Sequence, residues 1–264
     1  MRQPSPRSQV LTSRNNPMRP LSAQELIEIR ERGEHQQPVD RALMVLVATC
    51  PEKDVKELAG LSIGQRDALL LALYGLTFGP QLEAFCECPA CDAQLEFSIN
   101  TAALLANNTI PADSALHLEA GGFNIRFRLP TSIDLAASMN LDIAEGYKML
   151  LRKCVIEASK DNKKIKLEAL PETVTSALAA QMLECDPLAE VQLDLACPAC
   201  DHRWPMLLDI VSFLWAELDW QAKYLLRQVH ILARAYGWRQ DDILSMSAWR
   251  RQRYLDMVMS WPIF

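Results

Sequence analysis

Two short segments with the same sequence, Cys-Pro-Ala-Cys-Asp, carry the residues best suited to chemistry in this chain. They span residues 88–92 and 197–201. Each Cys-x-x-Cys turn can direct two thiolates at one metal ion, and two such turns complete a tetrahedral shell of sulfur. No position is then left for water or substrate, so the metal is predicted to be a structural zinc. The predicted ligands are Cys88, Cys91, Cys197 and Cys200.

Other uses of these cysteines fit the pattern less well. A thioredoxin-like redox site needs one Cys-x-x-Cys turn between a strand and a helix, whereas both turns here lead into apolar-alternating segments, at residues 95–99 and 204–208. Disulfides would suit a secreted chain, but the sequence opens without an apolar signal core. One alternative stays open, because Cys86 could replace Cys88 as a ligand, although Pro89 and the x-x spacing favour Cys88.

The remaining cysteines and the nearest histidine are given no role in the metal site. Cys50, Cys154 and Cys185 lie in helix-like apolar segments, where a buried free thiol is the ordinary expectation. His202 follows the second turn by two residues, and we expect it at the surface of that turn rather than at the metal.

The two turns must be brought together although 105 residues separate Cys91 from Cys197. An ordinary zinc ribbon has about 15 to 20 residues there, so a whole subdomain is predicted inside a split ribbon. The entropy cost of closing this loop grows only logarithmically with its length, and structural zinc can contribute on the order of 10 kcal/mol. Asp92 and Asp201 stand where glycine commonly follows the second cysteine, and aspartate tolerates the left-handed backbone expected there.

Helix signals dominate the sequence before the first turn. A capping box predicts that order begins with a helix at Ser22, which Gly33 ends, and a second capping box opens a Leu-rich helix at Ser62. Between them, a helix is predicted from Pro38 to Pro51.

Strand and helix signals alternate between the two turns. The Gly-Gly pair at 121–122 lies between two alternating segments and predicts a β-hairpin. Helices are predicted over residues 133–140, 143–158 and 172–184, and a strand over 191–195 leads to the second turn.

The longest predicted helix spans residues 210–236, and its main apolar stripe is typical of core packing. Phe213, Trp220 and Leu226 fall off that stripe, which predicts a second apolar surface for a partner. A terminal helix is predicted over residues 247–264, with a basic run that is simplest to interpret as a solvated face.

The predicted fold is therefore α+β and mainly helical, with a split zinc ribbon, an inserted subdomain, an N-terminal helical module and a long C-terminal helix. The first twenty residues hold four prolines, four arginines and no acidic residue, which is typical of a disordered tail. The predicted units are the disordered tail (1–20), the helical module (21–82), the split zinc ribbon (83–99 and 190–209), the inserted α+β subdomain (100–189) and the C-terminal helices (210–264).

Composition narrows the classes of function. A net charge of −6 and a pI near 5.3 argue against broad phosphate neutralisation, so a zinc-ribbon nucleic-acid adaptor is the least favoured hypothesis. No apolar stretch reaches the 18 or so residues that span a bilayer, and we expect a cytoplasmic protein that binds no membrane. The sequence has no Gly-rich phosphate loop, His-Glu-x-x-His or Gly-x-Ser-x-Gly, so we expect neither enzymatic activity nor a small-molecule substrate.

Several short strings, taken in order, resemble one known family. They are LSIGQRDALLL (61–71), FGPQLE (78–83), the two CPAC turns, FRLPTS (127–132), FLWAE (213–217) and LARAYGW (232–238). Over about residues 20–260 the chain resembles the baseplate hub assembly chaperones of T-even-type bacteriophages, in the version found beside extracellular contractile injection systems. The resemblance implies a non-enzymatic protein that acts in the producing bacterium and helps hub or spike proteins assemble a contractile tail baseplate. The alternative is a structural baseplate subunit that is retained in the particle.

Overall fold

The computed structural model describes residues 18–106, 116–161 and 163–260. The α-helices of these residues are α1 Ala23–Arg32, α2 Pro38–Thr49, α3 Val55–Gly60, α4 Ile63–Phe78, α5 Thr101–Ala106, α6 Ser132–Ser138, α7 Ile143–Cys154, α8 Glu172–Cys185, α9 Ile210–Tyr236, α10 Gln240–Leu244 and α11 Ala248–Ser260. The strands are β1 Gln81–Glu87, β2 Gln94–Asn100, β3 Leu116–Ala120, β4 Phe123–Phe127, β5 Val155–Lys160, β6 Lys163–Lys164, β7 Gln192–Ala196 and β8 Arg203–Leu207. Single 3-10 turns lie at Leu167–Ala169 and Pro187–Ala189.

Among the described residues the strands form three antiparallel sheets, and their order confirms a mixed α+β architecture. β1 pairs with β2, and β7 pairs with β8, as two separate hairpins. Between them in the chain lies a four-stranded sheet with the order β3-β4-β5-β6. Each of the two separate hairpins carries one Cys-x-x-Cys turn at its tip, because residues 88–93 join β1 to β2 and residues 197–202 join β7 to β8.

Local signals placed the helix ends well. Both predicted capping boxes are present, at Ser22 with Glu25 and at Ser62 with Gln65, where each cap serine and its partner exchange hydrogen bonds. The longest helix, α9, has the predicted bounds, and Gly237 ends it in the left-handed conformation at φ 70°.

The main hydrophobic core joins the N-terminal helices, the first hairpin and α9. Its fully buried members include Leu46, Leu70, Leu73, Leu82 and Leu218, so β1 rests on the same core as α2, α4 and α9. The segment between the hairpins has its own core, and a third cluster joins the end of α9 to α10 and α11. The division of the chain into the five units stays a prediction.

Three sequence-based expectations are corrected. The helix predicted over 143–158 ends at Cys154, because Val155–Lys160 forms β5 and pairs with β4. Tertiary pairing of this segment, which begins with the β-branched Val155 and Ile156, outweighs the helical periodicity. The short helix α3 was not predicted, although Asp54 and Glu57 form a capping box that marks it. Arg251, in the basic run expected to be solvated, is buried and bonds to Gln228 and to two backbone carbonyls.

The predicted tail and the last residues fall largely outside the described ranges. Residues 1–17 of the tail and 261–264 of the predicted terminal helix are not among them. Arg19, which precedes the predicted helix start at Ser22, pairs with Glu25 and donates to the carbonyl oxygen of Ala48 at 2.9 Å.

Candidate metal centre

The first Cys-x-x-Cys turn is closed by two backbone hydrogen bonds. The N–H of Asp92 donates to the carbonyl oxygen of Cys88, and the N–H of Cys88 donates to that of Ala93, both at 2.9 Å. Asp92 has a φ of 57°, in the left-handed region. This conformation turns the chain so that Cys88 and Cys91 lie on one side, as the aspartate at this position predicted.

The second turn repeats the first. The N–H of Asp201 donates to the carbonyl oxygen of Cys197, and the N–H of Cys197 donates to that of His202, again at 2.9 Å. Asp201 also has a φ of 57°. The two hairpins therefore carry turns of the same conformation, and these turns face each other. One ion can be bound between them.

All four predicted ligand atoms meet. The Sγ atoms of Cys88, Cys91, Cys197 and Cys200 lie within 4.8 Å of one another. The Sγ atoms of Cys88 and Cys200 are 3.7 Å apart, and those of Cys91 and Cys197 are 3.6 Å apart. These distances exclude disulfides, which are about 2.05 Å long, and are close to the edge of about 3.8 Å expected for a tetrahedron of sulfurs around zinc. The group can therefore hold a metal ion.

Burial divides the four sulfurs into two pairs. Cys88 and Cys197, the first cysteine of each turn, are buried, whereas Cys91 and Cys200 are exposed. Leu95 and Trp204 pack around the buried pair. The two buried cysteines thus hold the site against the hairpins, while the other two close it on the solvent side.

Two of the clustered thiols, Cys197 and Cys200, differ in how readily they ionise. Burial opposes ionisation of Cys197, but the N–H groups of Ala199 and Cys200 donate to its sulfur and lower its pKa to about 7. The N–H of His202 acts to lower the pKa of Cys200, yet contacts with the sulfurs of Cys91, Cys197 and Cys88 raise that pKa to about 12. One thiolate therefore suppresses the next, and a bound divalent cation would remove this repulsion.

The neighbouring candidates stay outside the group. Cys86, the alternative ligand, lies on β1, packs beside Cys88 and is not one of the four clustered cysteines; burial raises the pKa of its thiol. His202 is exposed and stacks on Trp204, with ring centroids 5.8 Å apart. Of the other thiols, Cys50 and Cys154 are buried and Cys185 is half-buried.

A buried polar cluster connects the end of α8 to α4. We call its residues, Gly64, Arg66, Asp67, Ser132 and Asp186, the polar joint. Asp186 Oδ2 accepts from the N–H of Gly64 at 2.9 Å, in the first turn of α4. Gly64 is needed there, because a Cβ would lie 2.1 Å from Asp186 Oδ1. Arg66 bonds to Asp67 at 2.7 Å and to Ser132 at 3.4 Å. Burial raises the pKa of Asp67 and of Asp186, although Arg66 and the Gly64 N–H respectively oppose the shift.

A second contact fastens the inserted segment to the same helix end. The N–H of Ile63 donates to the carbonyl oxygen of Pro130 at 3.0 Å. Next to it, Arg128 makes two bonds of 2.6 and 2.9 Å to the buried Asp134, which also accepts from Thr131. The strings 61–71 and 127–132 therefore meet in space. Both strings were noted in the sequence, but their contact and the polar joint were not predicted. The one available signal for the polar joint was Gly64, a glycine in the first turn of a capped helix.

The surface of α9 partly matches its prediction. Trp220 and Leu226 are exposed, by 58% and 42%, whereas Phe213 packs against the main core. Within the described part of the chain, no helix is both long and apolar enough to cross a membrane.

Comparison with known proteins places the chain in a family. A family model described as T4 bacteriophage base plate protein matches residues 16–215, a range that includes both Cys-x-x-Cys turns and the polar joint. None of the curated proteins and none of the solved structures matches the chain. Because the matched range covers well over half of the 264 residues, the chain belongs to the family of T4 bacteriophage base plate proteins.

Proposed function

We propose that this protein is a non-enzymatic assembly chaperone for the baseplate hub of a contractile phage tail or phage-tail-like injection system. The observation that carries this proposal is membership of the base plate family, which implies association with other baseplate proteins. The resemblance of the ordered strings to hub assembly chaperones supports the finer role, and hub or spike proteins are then its clients.

The four cysteines are proposed to hold one structural Zn²⁺ per chain. A donor set made only of thiolates suits zinc, and the sulfur–sulfur distances of 3.6 and 3.7 Å suit its tetrahedral preference. A fully coordinated ion does no chemistry on a substrate. Its role would be to bind the two hairpins to each other, so that both ends of the segment between them are held at one point.

The client surface is proposed to lie on the α6–α7 part of that held segment. Ile133, Leu141 and Ile143 expose 56%, 42% and 94% of their surface there, which is unusual for large apolar side chains grouped within eleven residues. The group lies inside the range that the base plate family matches, whereas Trp220 lies beyond it. A hub protein with its own apolar surface would cover these side chains on binding.

Deletion and point variants test the chaperone role. Deleting the gene in a producing strain should leave hub proteins unassembled or aggregated, with few functional particles. In pull-downs from assembling cells, Ile143→Ser should recover much less hub protein, since truncating an interface anchor can remove about 2 kcal/mol of binding. Ile156→Ser is the matched control, because Ile156 is 52% exposed on β5, outside the proposed surface. Normal baseplates from the deletion strain would refute the proposal.

The second candidate is a structural subunit that stays in the baseplate. The family description itself, a base plate protein, supports it. Mass spectrometry of purified particles separates the two, since a retained subunit is present in fixed stoichiometry to hub proteins and a chaperone is absent.

A further inference from the structure

One face of the first hairpin is acidic and has an exposed aromatic residue at its centre. Side chains that alternate along β1 and β2 place Glu83, Phe85 and Glu87 beside Glu96 on one exposed face, with Phe85 directly opposite Glu96. Phe85 is 72% exposed. None of the three glutamates forms an ion pair with another described residue. We call these four residues the acidic face.

A second surface has the opposite charge and lies on α9 and α11. Trp220 and Tyr224 stack with ring centroids 5.5 Å apart, and the Tyr224 hydroxyl donates to Gln252 at 3.4 Å, which joins the two helices. On α11 the Arg253 guanidinium lies 5.5 Å from the centre of the Trp249 ring, which is 69% exposed. We call the following exposed residues of these two helices the basic–aromatic face: Trp220, Lys223, Tyr224, Arg227, Trp249, Arg250 and Arg253.

This basic–aromatic face keeps a surplus of positive charge. Lys223 pairs with Asp219, and Arg253 approaches Asp256 at 3.9 Å. Arg227 and Arg250 are exposed and form no ion pair within the described ranges. The chain as a whole has a net charge of −6, so this positively charged surface differs from the protein's overall negative charge.

We propose that the acidic face of one copy docks on the basic–aromatic face of a second copy of this chain. Uncompensated carboxylates would meet uncompensated guanidinium groups, and Phe85 would pack on exposed tryptophan rings. The two faces cannot meet within one copy, because Leu82 and Ala84, on the other side of β1, pack in the core shared with α9 and so turn the acidic face away from it. The contact joins unlike faces, so it is head-to-tail.

This inference does not depend on the chaperone role, because it concerns the purified protein alone. The test is sedimentation velocity over a range of concentrations. The wild-type protein should associate at low salt and dissociate near 1 M salt, where the screening length falls to about 3 Å. Glu83→Lys/Glu96→Lys removes the acidic face, and Arg250→Glu/Arg253→Glu removes the basic one. Each variant alone should associate at least about tenfold more weakly than wild type, since reversal creates like-charge contacts.

A mixture of the two variants gives the decisive measurement. Each supplies the face that the other lacks, so the mixture should associate at least about tenfold more tightly than either variant alone. Glu31→Lys/Glu119→Lys is the control for the acidic-face variant, because both residues are exposed and lie on neither face, and the two changes raise the net charge by the same +4. Far-UV circular dichroism and metal content verify that the variants are folded. A wild-type protein that stays monomeric at low salt overturns the proposal, and so does a mixture that forms no complex.

Discussion

Replacing Gly64 by alanine tests whether the polar joint holds the fold together. The added Cβ would lie 2.1 Å from Oδ1 and 2.7 Å from Cγ of Asp186, and 2.9 Å from the backbone nitrogen of Ala189. Asp186 is only 1% exposed, so its carboxyl group has little room to move aside. To relieve the clash, the Asp186 carboxyl group must therefore give up the hydrogen bond that it accepts from the Gly64 N–H.

The size of the effect follows from three contributions. Losing a hydrogen bond to a buried charged group costs about 1.5 to 3 kcal/mol, and overpacking a filled site adds about 1 to 3 kcal/mol. Alanine recovers up to about 1 kcal/mol through its better helix propensity. We expect Gly64→Ala to lower the free energy of unfolding by about 1.5 to 6 kcal/mol.

Urea denaturation of the metal-loaded protein, followed by tryptophan fluorescence, measures this change. Gly60→Ala is the matched control, because Gly60 is also helical and nothing lies within 4 Å of its added Cβ. That variant should be neutral or more stable by up to about 1 kcal/mol.

A double variant separates the clash from other effects. In the background of Asp186→Ala, which is itself destabilising, Gly64→Ala should cost less than it does in wild type, since the carboxyl group is gone and only the contact with the backbone nitrogen of Ala189 remains. If Gly64→Ala is as stable as Gly60→Ala, or if the two changes at the joint are additive, the reasoning about this contact is refuted.

The other predictions concern the metal centre and acid stability. Cys88→Ser and Cys197→Ser should cause similar loss of zinc, measured by elemental analysis, and similar loss of stability, measured by thermal melting. Cys86→Ser should keep its metal. If Cys86→Ser is damaging and Cys88→Ser is harmless, the ligand is Cys86 rather than Cys88. Chelation of the wild-type protein should lower its melting temperature, and an unchanged temperature would contradict a structural ion. Burial acts to raise the pKa of Asp134, but the hydrogen bonds from Arg128 and Thr131, together with the charge of Arg128, lower it from 3.8 to about 2. Because the folded-state pKa is the lower one, this stabilisation is present above pH 4 and is lost as the pH falls towards 2. Asp134→Asn should therefore have a free energy of unfolding lower than wild type by at least about 2 kcal/mol at pH 7, measured by urea denaturation. This difference between the two proteins should narrow by about 2 kcal/mol at low pH. A difference that does not change with pH would show that the charge of Asp134 does not contribute.

The sequence alone determined the features that depend on neighbouring residues. Capping boxes placed the starts of α1 and α4, and the apolar period with a following glycine placed both ends of α9. The repeated Cys-Pro-Ala-Cys-Asp segments identified the four cysteines that meet and the two left-handed aspartates. These signals are local, because caps, turns and ligand spacing act over a few residues.

Tertiary structure decided whatever depends on residues distant in the chain. Val155–Lys160 became a strand because β4 offers it an edge to pair with, although its own sequence continued a helical pattern. Asp186 became a partner of Gly64 across 122 residues, and no local period can encode that pairing. The distribution of charge over the surface could not be predicted either, because composition gives only a net charge of −6. Only folding brings the glutamates of β1 and β2 onto one face and leaves Arg227 and Arg250 exposed on another surface. Side chains acquire common surroundings only when their elements pack, and that step depends on the whole chain.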